Sequence, residues 1–242
     1  MRSTVELLAH HLRCFAERKA DGRPSHYRAD ISISPASSQL DPLRHVCALF
    51  DSDEKEYRVL LPFIKDGFEC GHRAIHVMNP QQQDQHIRRL SSAGIDTAGA
   101  QQTGQFELRS NTDRYLRDGR FDQDGVPEVF KQLTTSGAGS GFPLSRIVCR
   151  MDWAAHSRTH LENLIEFESR VNYVWRRHGD AIICTCRLQQ FSGDTVIDII
   201  RTHPLVIIGG VSHQNSFFIP PEQFLPDFRE RQAKQTVRNQ TV

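Results

Sequence analysis

The sequence has no surplus of charge of either sign, because 30 basic residues stand against 29 acidic ones. Such a chain has no overall field that would concentrate nucleic acid or an anionic membrane around it. Its short basic runs are interleaved with acidic residues, and no nucleic-acid recognition motif accompanies them. We therefore expect neither nucleic acid nor membrane among its direct partners.

Long apolar runs are also missing. No segment approaches the ~18 apolar residues that span a bilayer. The opening stretch carries Glu6, Arg13, Glu17 and Arg18 where a signal peptide would have its apolar core. Without an export signal we expect a cytoplasmic protein of a bacterium or archaeon, with its six cysteines present as thiols rather than disulfides.

A phosphate loop is absent as well. The stretch "HVCALFDSDEKEYRVLLPFIKDG", residues 45–67, predicts a strand, a loop and a helix, but it lacks the glycines and the lysine that cradle phosphates. It offers Asp51, Asp53, Glu54 and Glu56 instead. These acids suit the start of a helix and would repel a triphosphate. A magnesium site is the alternative, although no spacing rule supports it.

The length allows one substantial core, and the composition divides the chain into three parts. Residues 1–41 combine a predicted amphipathic helix over 3–19 with a linker rich in Ser, Pro, Asp and Gly over 20–41. Residues 42–231 form the main domain. Residues 232–242 are predicted to be a polar, frayed tail.

Apolar strands and amphipathic helices alternate along the main domain. This rhythm predicts an α/β fold with three layers, in which a mostly parallel sheet carries helices on both faces. The predicted strands are "HVCALF", "RAIHVM", "QFELR", "SRIVCRM", "DAIICTC" and "PLVIIGG", with "NSFFIP" as an edge strand; after the first helix, others are predicted near 80–93, 124–136, 159–177 and 193–201, and "PEQFLPDFRER" is the last. In such sheets ligands bind outside the carboxyl ends of the strands.

Several motifs together resemble one known family. They are "HVCALFDSDEKEYRVLLPFIKDGFECG", "RYLRDGRFDQD", "RMDWA", "FSGDTVIDIIRTHPLVIIGG" and "NSFFIPPEQFL", in this order. Over about residues 42–231 the chain resembles the MEDS family, a sensory domain named for methanogens, methylotrophs and a repressor that responds to dichloromethane. The resemblance implies a RecA-like or KaiC-like core without a functional P-loop, and a role in sensing small organic molecules.

The resemblance also extends to individual positions. The residues that match the family pattern are His45, Cys47, Arg150, Met151, Trp153, Glu168, Thr202, His203 and Pro204. The chain departs from the family at Cys186 and Arg187, where a Tyr and an Asp are usual, so a ligand role for that strand end is not implied. The family is often fused to a DNA-binding or kinase-like module, which this chain does not show.

Two pairs of residues suggest a metal hypothesis. Residues two apart on a strand share a face, so His45 and Cys47 lie on one face, as do Cys184 and Cys186. Imidazole and thiolate suit zinc or copper, but the Cys-x-x-Cys spacing of structural zinc sites is absent. Because buried cysteine is more often a small apolar residue, we expect no metal and no cofactor.

Glu168 falls on the apolar stripe of the helix predicted near 159–177. An inward carboxylate needs a partner, because burying an unpaired charge costs several kcal/mol. Arg150 and His203 are the predicted partners. The pair is then either a structural ion pair or a polar anchor inside a ligand pocket.

The segment "RMDW" places Arg150, Asp152 and Trp153 just after a strand, where they could hold an anion or a planar ligand. Pro204 fixes the direction of His203, but no nucleophile motif accompanies this histidine, so we expect no catalytic residues. The predicted ligand-binding residues are His45, Cys47, Arg150, Asp152, Trp153, Glu168, Cys184 and His203.

These features predict a regulatory domain that binds a small organic molecule and signals through a partner protein, either a kinase or a transcription regulator. A homodimer is a further expectation. One alternative is an interaction scaffold that binds no ligand. The other is a residual nucleotide-binding or ATPase protein, or a metal-dependent one.

Overall fold

The computed structural model of the chain describes residues 45–111, 116–117, 120–121, 141–175 and 180–240. The helix predicted over 3–19, the linker over 20–41 and the helix predicted near 124–136 lie outside these residues.

The described residues form an alternating series of strands and helices. The strands are β1 (His45–Phe50), β2 (Arg73–Met78), β3 (Phe106–Ser110), β4 (Leu116–Arg117), β5 (Arg120–Phe121), β6 (Ser145–Arg150), β7 (Ala181–Arg187), β8 (Leu205–Ile208) and β9 (Val211–Gln214). The helices are α1 (Asp53–Glu69), α2 (Pro80–Ser92), α3 (Thr97–Gln102), α4 (Arg158–Trp175), α5 (Gly193–Arg201) and α6 (Pro221–Gln240), with short 3-10 turns at Asp152–His156 and Leu188–Gln190.

The main sheet has the strand order β3-β2-β6-β7-β1-β8-β9, and β4 pairs with β5 in a small separate hairpin. All neighbours in the main sheet are parallel except β8 and β9, which are antiparallel. This confirms the predicted α/β fold with a mostly parallel sheet. Parallel strands need crossover connections, and the helices that make these crossovers cover the two faces of the sheet.

Alternation along the strands separates two apolar cores. On β1, Val46, Ala48 and Phe50 pack with residues of α1 and α2, whereas Cys47 and Leu49 pack with residues of α4, α5 and α6. Strands β1, β6 and β7 are buried on both faces, which explains why their sequences are apolar on successive residues. The sheet therefore separates two apolar cores, one on each of its faces.

The start of α1 differs in detail from the prediction. By sequence, Asp53 and Glu56, three residues apart, suit a capping pair at the helix start, but the N-cap is Ser52, whose Oγ accepts a hydrogen bond from the Lys55 N–H at 3.4 Å. Ser and Asp both suit this position, so the sequence pattern alone does not separate them. The acidic residues of the first turn remain available for other contacts.

The end of the chain also differs. The segment "NSFFIP" is not a strand, and the edge strand is β9, joined to β8 by Gly209 and Gly210 with φ of +60° and +82°. Two consecutive residues with positive φ suit a tight hairpin turn, and glycine adopts this conformation without strain. The last helix continues to Gln240, through residues that the sequence predicts as a polar tail. None of the described helices combines the length and the apolar character needed to cross a membrane.

Candidate functional site

The core beneath α4 contains a cluster of four polar side chains, His45, Glu168, Cys184 and His203, hereafter the His-Glu-Cys cluster. His45 begins β1, Glu168 lies on α4, Cys184 is in the middle of β7, and His203 lies between α5 and β8. Glu168 Oε2 is 2.9 Å from His45 Nε2, 3.4 Å from His203 Nε2 and 3.4 Å from Cys184 Sγ. The side chains are at most 2% exposed, so water does not screen these contacts.

Neighbouring groups orient both histidines. The Asn172 amide donates to three backbone carbonyls, those of Glu168, Ser169 and Thr202, at 3.1, 3.0 and 2.8 Å. Its oxygen is therefore the acceptor that faces His45 Nδ1 at 3.1 Å. His203 Nδ1 lies 2.8 Å from the Ile199 carbonyl, to which it can only donate. In both histidines Nδ1 carries the hydrogen and Nε2 faces Glu168.

The protonation of the cluster follows from burial and from its own charges. Burial by itself would raise the pKa of Glu168, but the hydrogen bonds and charges of His203 and His45 outweigh it and lower the pKa to about 2. Burial and the charge of His203 lower the pKa of His45. Burial would also lower the pKa of His203, but Glu168 and Cys47 outweigh it and raise the pKa. Glu168 is thus ionised at neutral pH, and His203 is the better proton acceptor.

A row of thiols lies beside the cluster. Cys149, Cys184 and Cys47 are register partners on β6, β7 and β1, and all three belong to the core beneath α4. Cys186 follows on the same face, and its Sγ lies 3.5 Å from Met151 Sδ. Cys149 and burial raise the pKa of Cys184 well above its usual value, so this thiol stays protonated in the metal-free protein. The predicted sharing of a face by His45 and Cys47, and by Cys184 and Cys186, is confirmed.

A second polar group lies at the carboxyl edge of the sheet, on the side of α1. Arg150 Nε and Nη2 each lie 3.0 Å from a carboxylate oxygen of Glu56, and Nη2 lies 3.4 Å from Asp53. Arg187 also pairs with Asp53. The Asp152 carboxylate accepts a hydrogen bond from the Arg187 backbone N–H at 2.9 Å. We call these five residues the edge cluster: Asp53, Glu56, Arg150, Asp152 and Arg187.

Burial perturbs two acids of the edge cluster, Glu56 and Asp152. It raises the pKa of Glu56 against the opposing charge of Arg150, and it raises the pKa of Asp152 against the hydrogen bond from the Arg187 N–H. The other acids of the loop, Asp51 and Glu54, pair with Lys55 and Arg89. Each acid of the loop after β1 therefore has a cationic partner within the chain.

The sheet divides the predicted ligand-binding residues between two places. His45, Cys47, Glu168 and Cys184 lie beneath α4 with His203, whereas Arg150 lies on the opposite face. The prediction that Arg150 is a partner of Glu168 is therefore wrong, because β6 directs Cys149 toward α4 and its neighbour Arg150 toward α1. The predicted contact of Glu168 with His203 is confirmed.

The two remaining predicted residues follow the end of β6. Asp152 belongs to the edge cluster, and Trp153 is buried in the core beneath α4, with its ring 5.8 Å from that of His160. Two clefts formed by described residues lie elsewhere, one of about 410 Å³ between α1 and α2 and one of about 450 Å³ beside α3. Neither contains a predicted ligand-binding residue.

A third group of polar residues connects α1, α2 and β2. The Tyr57 hydroxyl lies 2.7 Å from His86 Nδ1, and His86 Nε2 lies 2.7 Å from His76 Nδ1. Burial, helped by the charge of Arg150, lowers the pKa of His76 to about 3, and burial raises the pKa of Tyr57 to about 12. Burial also lowers the pKa of His86 well below its usual value. All three side chains are therefore neutral at pH 7.

We expect His76 to make the fold sensitive to acid. Below its ordinary pKa of 6.5 the unfolded chain takes up a proton that the folded protein refuses until about pH 3. The free energy of unfolding should then fall by about 1.4 kcal/mol per pH unit from this group as the pH drops through that window. Urea denaturation from pH 7 to pH 4 measures the slope, which His76→Gln should reduce. The same change at the exposed His213 is the control, and an unaltered slope in His76→Gln would contradict the assignment.

Sequence reasoning missed several residues of these groups. Asn172 orients His45, and its position four residues after Glu168 on α4 was a usable signal, because residues four apart share a helix face. The sequence pattern assigns Glu56 only to the start of a helix, whereas in the structure its buried carboxylate pairs with Arg150. The contact between His86 and His76 joins a helix to a strand, and no short spacing in the sequence indicates it.

The fold and these groups define a class of protein. The chain forms a three-layer α/β domain with a mostly parallel sheet, a buried polar cluster on one face and a charged cluster at the carboxyl edge. Residues 44–204 match the family described as MEthanogen/methylotroph, DcmR Sensory domain. The chain therefore belongs to the MEDS family, a family of sensory domains, and this supports a sensory regulatory role. No curated protein matches the chain.

Proposed function

We propose that this domain senses a small, uncharged organic molecule at the carboxyl edge of its sheet and passes the signal to a regulatory protein. The observation that carries the proposal is the edge cluster, in which Asp53 and Glu56 pair with the guanidinium groups of Arg150 and Arg187, and a third carboxylate, Asp152, accepts the Arg187 backbone N–H. Perturbed titratable groups tend to gather at functional sites. The carboxyl ends of parallel strands are also where ligands bind in folds of this kind.

The charge balance of the edge cluster favours an uncharged ligand. The three acids exceed the two cations, so an entering phosphate would meet net negative charge while both guanidinium groups are already paired. The cluster offers hydrogen-bonding groups that are buried or partly buried, which suit a small polar organic molecule. This supports binding of a small polar organic molecule rather than a nucleotide, and a binding role rather than catalysis.

Signalling to a partner, a kinase or a transcription regulator, is supported by the side of the sheet that ends in β9. Strand β9 is an edge strand of the main sheet, and Ile208, Val211 and Phe217 beside it are exposed apolar residues. Exposed apolar groups next to an open strand edge suit a protein contact. A second copy of the chain is the other candidate for that contact.

Thermal shift measurements test the ligand. We expect the purified chain to be stabilised by at least one member of a panel of short alcohols, amides and halogenated methanes, and not by ATP with magnesium. Asp152→Asn should diminish that stabilisation, because Asp152 belongs to the edge cluster, whereas Asp194→Asn in the exposed first turn of α5 should leave it intact. Strong stabilisation by ATP with magnesium, or a ligand response that Asp152→Asn does not alter, would contradict the proposal.

A further inference from the structure

The His-Glu-Cys cluster brings four metal-ligating side chains from four separate elements to one point. One nitrogen, oxygen or sulfur atom from each of the four lies within 4.8 Å of all the others. The separations from Glu168 Oε2 are 2.9, 3.4 and 3.4 Å, and Cys184 Sγ lies 3.7 Å from His45 Nε2. Nitrogen, oxygen and sulfur at zinc bond lengths stand about 3.3–3.7 Å apart around a tetrahedron. The side chains therefore need only small shifts to enclose an ion.

The hydrogen bonds around the histidines leave both Nε2 atoms available as ligands. His203 Nδ1 donates to the Ile199 carbonyl, and His45 Nδ1 donates to the Asn172 oxygen. The neutral rings therefore direct their Nε2 lone pairs toward Glu168. His203 Nε2 is buried and lies 3.4 Å from that carboxylate. Histidines that bind metals commonly donate their other N–H to a carbonyl or an amide in this way.

Lone pairs that converge in a dry core repel one another unless a proton or a cation lies between them. The cluster presents two imidazole nitrogens, a carboxylate oxygen and a sulfur, all on side chains that are at most 2% exposed. With Cys184 as thiolate and Glu168 ionised, the set carries two negative charges. A divalent cation would neutralise it, whereas a monovalent ion would leave a buried negative charge, which is costly.

We propose that the His-Glu-Cys cluster is a binding site for a divalent transition metal ion of the zinc class, held by His45 Nε2, Glu168, Cys184 Sγ and His203 Nε2. The mixed nitrogen, oxygen and sulfur set suits zinc, whose four-coordinate sites accept all three donor types. Four protein ligands leave no open position, as in structural zinc sites. The sequence analysis led us to expect no metal. The four ligands come from positions as far apart in the chain as His45 and His203, so no short sequence motif indicates this site.

Such an ion would join four parts of the fold. It would link α4 and the turn before β8 to β1 and β7 in the middle of the sheet. Because the four side chains are buried, the ion would enter as the protein folds and would be retained afterwards. The site lies beneath α4 and does not depend on a ligand at the edge cluster.

Elemental analysis and cobalt spectroscopy test the proposal. The full chain, produced in medium with added zinc and purified without chelator, should contain one zinc per molecule. Refolding the unmodified chain with Co²⁺ under reducing conditions should give the visible absorption of a tetrahedral ion, with a thiolate-to-cobalt charge-transfer band. Cys184→Ser should remove that band, and Glu168→Gln should lower metal content several-fold. Cys149→Ala is the matched control, because Cys149 is the register partner of Cys184 on β6 and is not a proposed ligand.

The cobalt spectrum of the unmodified chain keeps the test decisive even if a variant fails to fold. Copper or iron in place of zinc, with the same dependence on Cys184 and Glu168, supports the site. The proposal is overturned if the folded chain takes up neither zinc nor cobalt after refolding with excess metal. It is equally overturned if Cys184→Ser and Glu168→Gln retain as much metal as Cys149→Ala.

Discussion

Glu168→Ala is expected to lower the free energy of unfolding of the metal-free protein by about 3–5 kcal/mol, because it removes the buried carboxylate that pairs with His45 and His203. Glu168 is 2% exposed, and its carboxylate contacts His45, His203 and Cys184. Without Glu168 the two histidines remain buried, but no carboxylate is left to balance the positive charge of a proton on either ring. The missing side chain also leaves a cavity beneath α4, which adds to the cost. Urea denaturation at pH 7 in the presence of chelator measures the effect.

Glu162→Ala is the matched control on the same helix. Glu162 forms a surface ion pair with Arg158 one turn away, and exposed pairs of this kind contribute about 0.3–0.5 kcal/mol. Glu168→Gln should fall between the two alanine variants, because an amide retains the shape and can still donate to His45 Nε2. Equal losses in Glu168→Ala and Glu162→Ala would show that the inward carboxylate has no special energetic role.

Replacing Arg150 by methionine is expected to cost about 3–5 kcal/mol as well, because it leaves the buried carboxylate of Glu56 without its cation. Arg150 is 5% exposed and holds Glu56 through two hydrogen bonds of 3.0 Å. Burial already raises the pKa of Glu56, and loss of Arg150 would raise it further. A carboxyl group whose folded pKa exceeds its unfolded value favours the folded state at low pH. The variant should therefore recover part of its stability as the pH falls from 7 to 5.

A double variant tests whether the charges of Arg150 and Glu56 are energetically coupled. Arg150→Met combined with Glu56→Gln removes both charges, and it should be more stable at pH 7 than Arg150→Met alone, with a coupling of about 1–3 kcal/mol. Arg158→Met, at a half-exposed arginine that pairs with Glu162, is the control for losing a guanidinium group. If adding Glu56→Gln brings no recovery, the two side chains are not energetically coupled.

Strand and helix patterns predicted most of the described fold. Apolar runs such as "AIIC" and "LVII" indicated strands buried on both faces, and the structure confirms them as β7 and β8. The failures lie where local sequence is ambiguous. The segment "NSFFIP" is apolar enough for a strand, but the glycine turn at Gly209 and Gly210 brings Val211–Gln214 alongside β8 first. The polar end of α6 is helical to Gln240, and Arg229 and Arg231 pair with Glu166 and Asp198 on α4 and α5.

The candidate site was only partly predictable. The inward position of Glu168 followed from the helical stripe, and its contact with His203 was among the predicted pairings. His45 as its nearest partner, at 2.9 Å, was not predicted, because 123 residues separate the two in the chain. The sequence favours Arg150 as a partner because an inward carboxylate needs a cation, but neighbouring positions on β6 face opposite sides of the sheet, and Arg150 faces away from Glu168.

By itself the sequence determined the layer architecture, the absence of a phosphate-loop motif and the inward position of Glu168, because these depend on local periodicity and residue type. Only the tertiary structure decided which polar residues meet. The order of strands places β1 between β7 and β8, and this brings His45, Cys184 and His203 together beneath Glu168. The same sheet separates that group from Arg150 and Glu56. The order of the strands, and the face of the sheet that each of their residues occupies, are set by long-range packing, which no short stretch of sequence encodes.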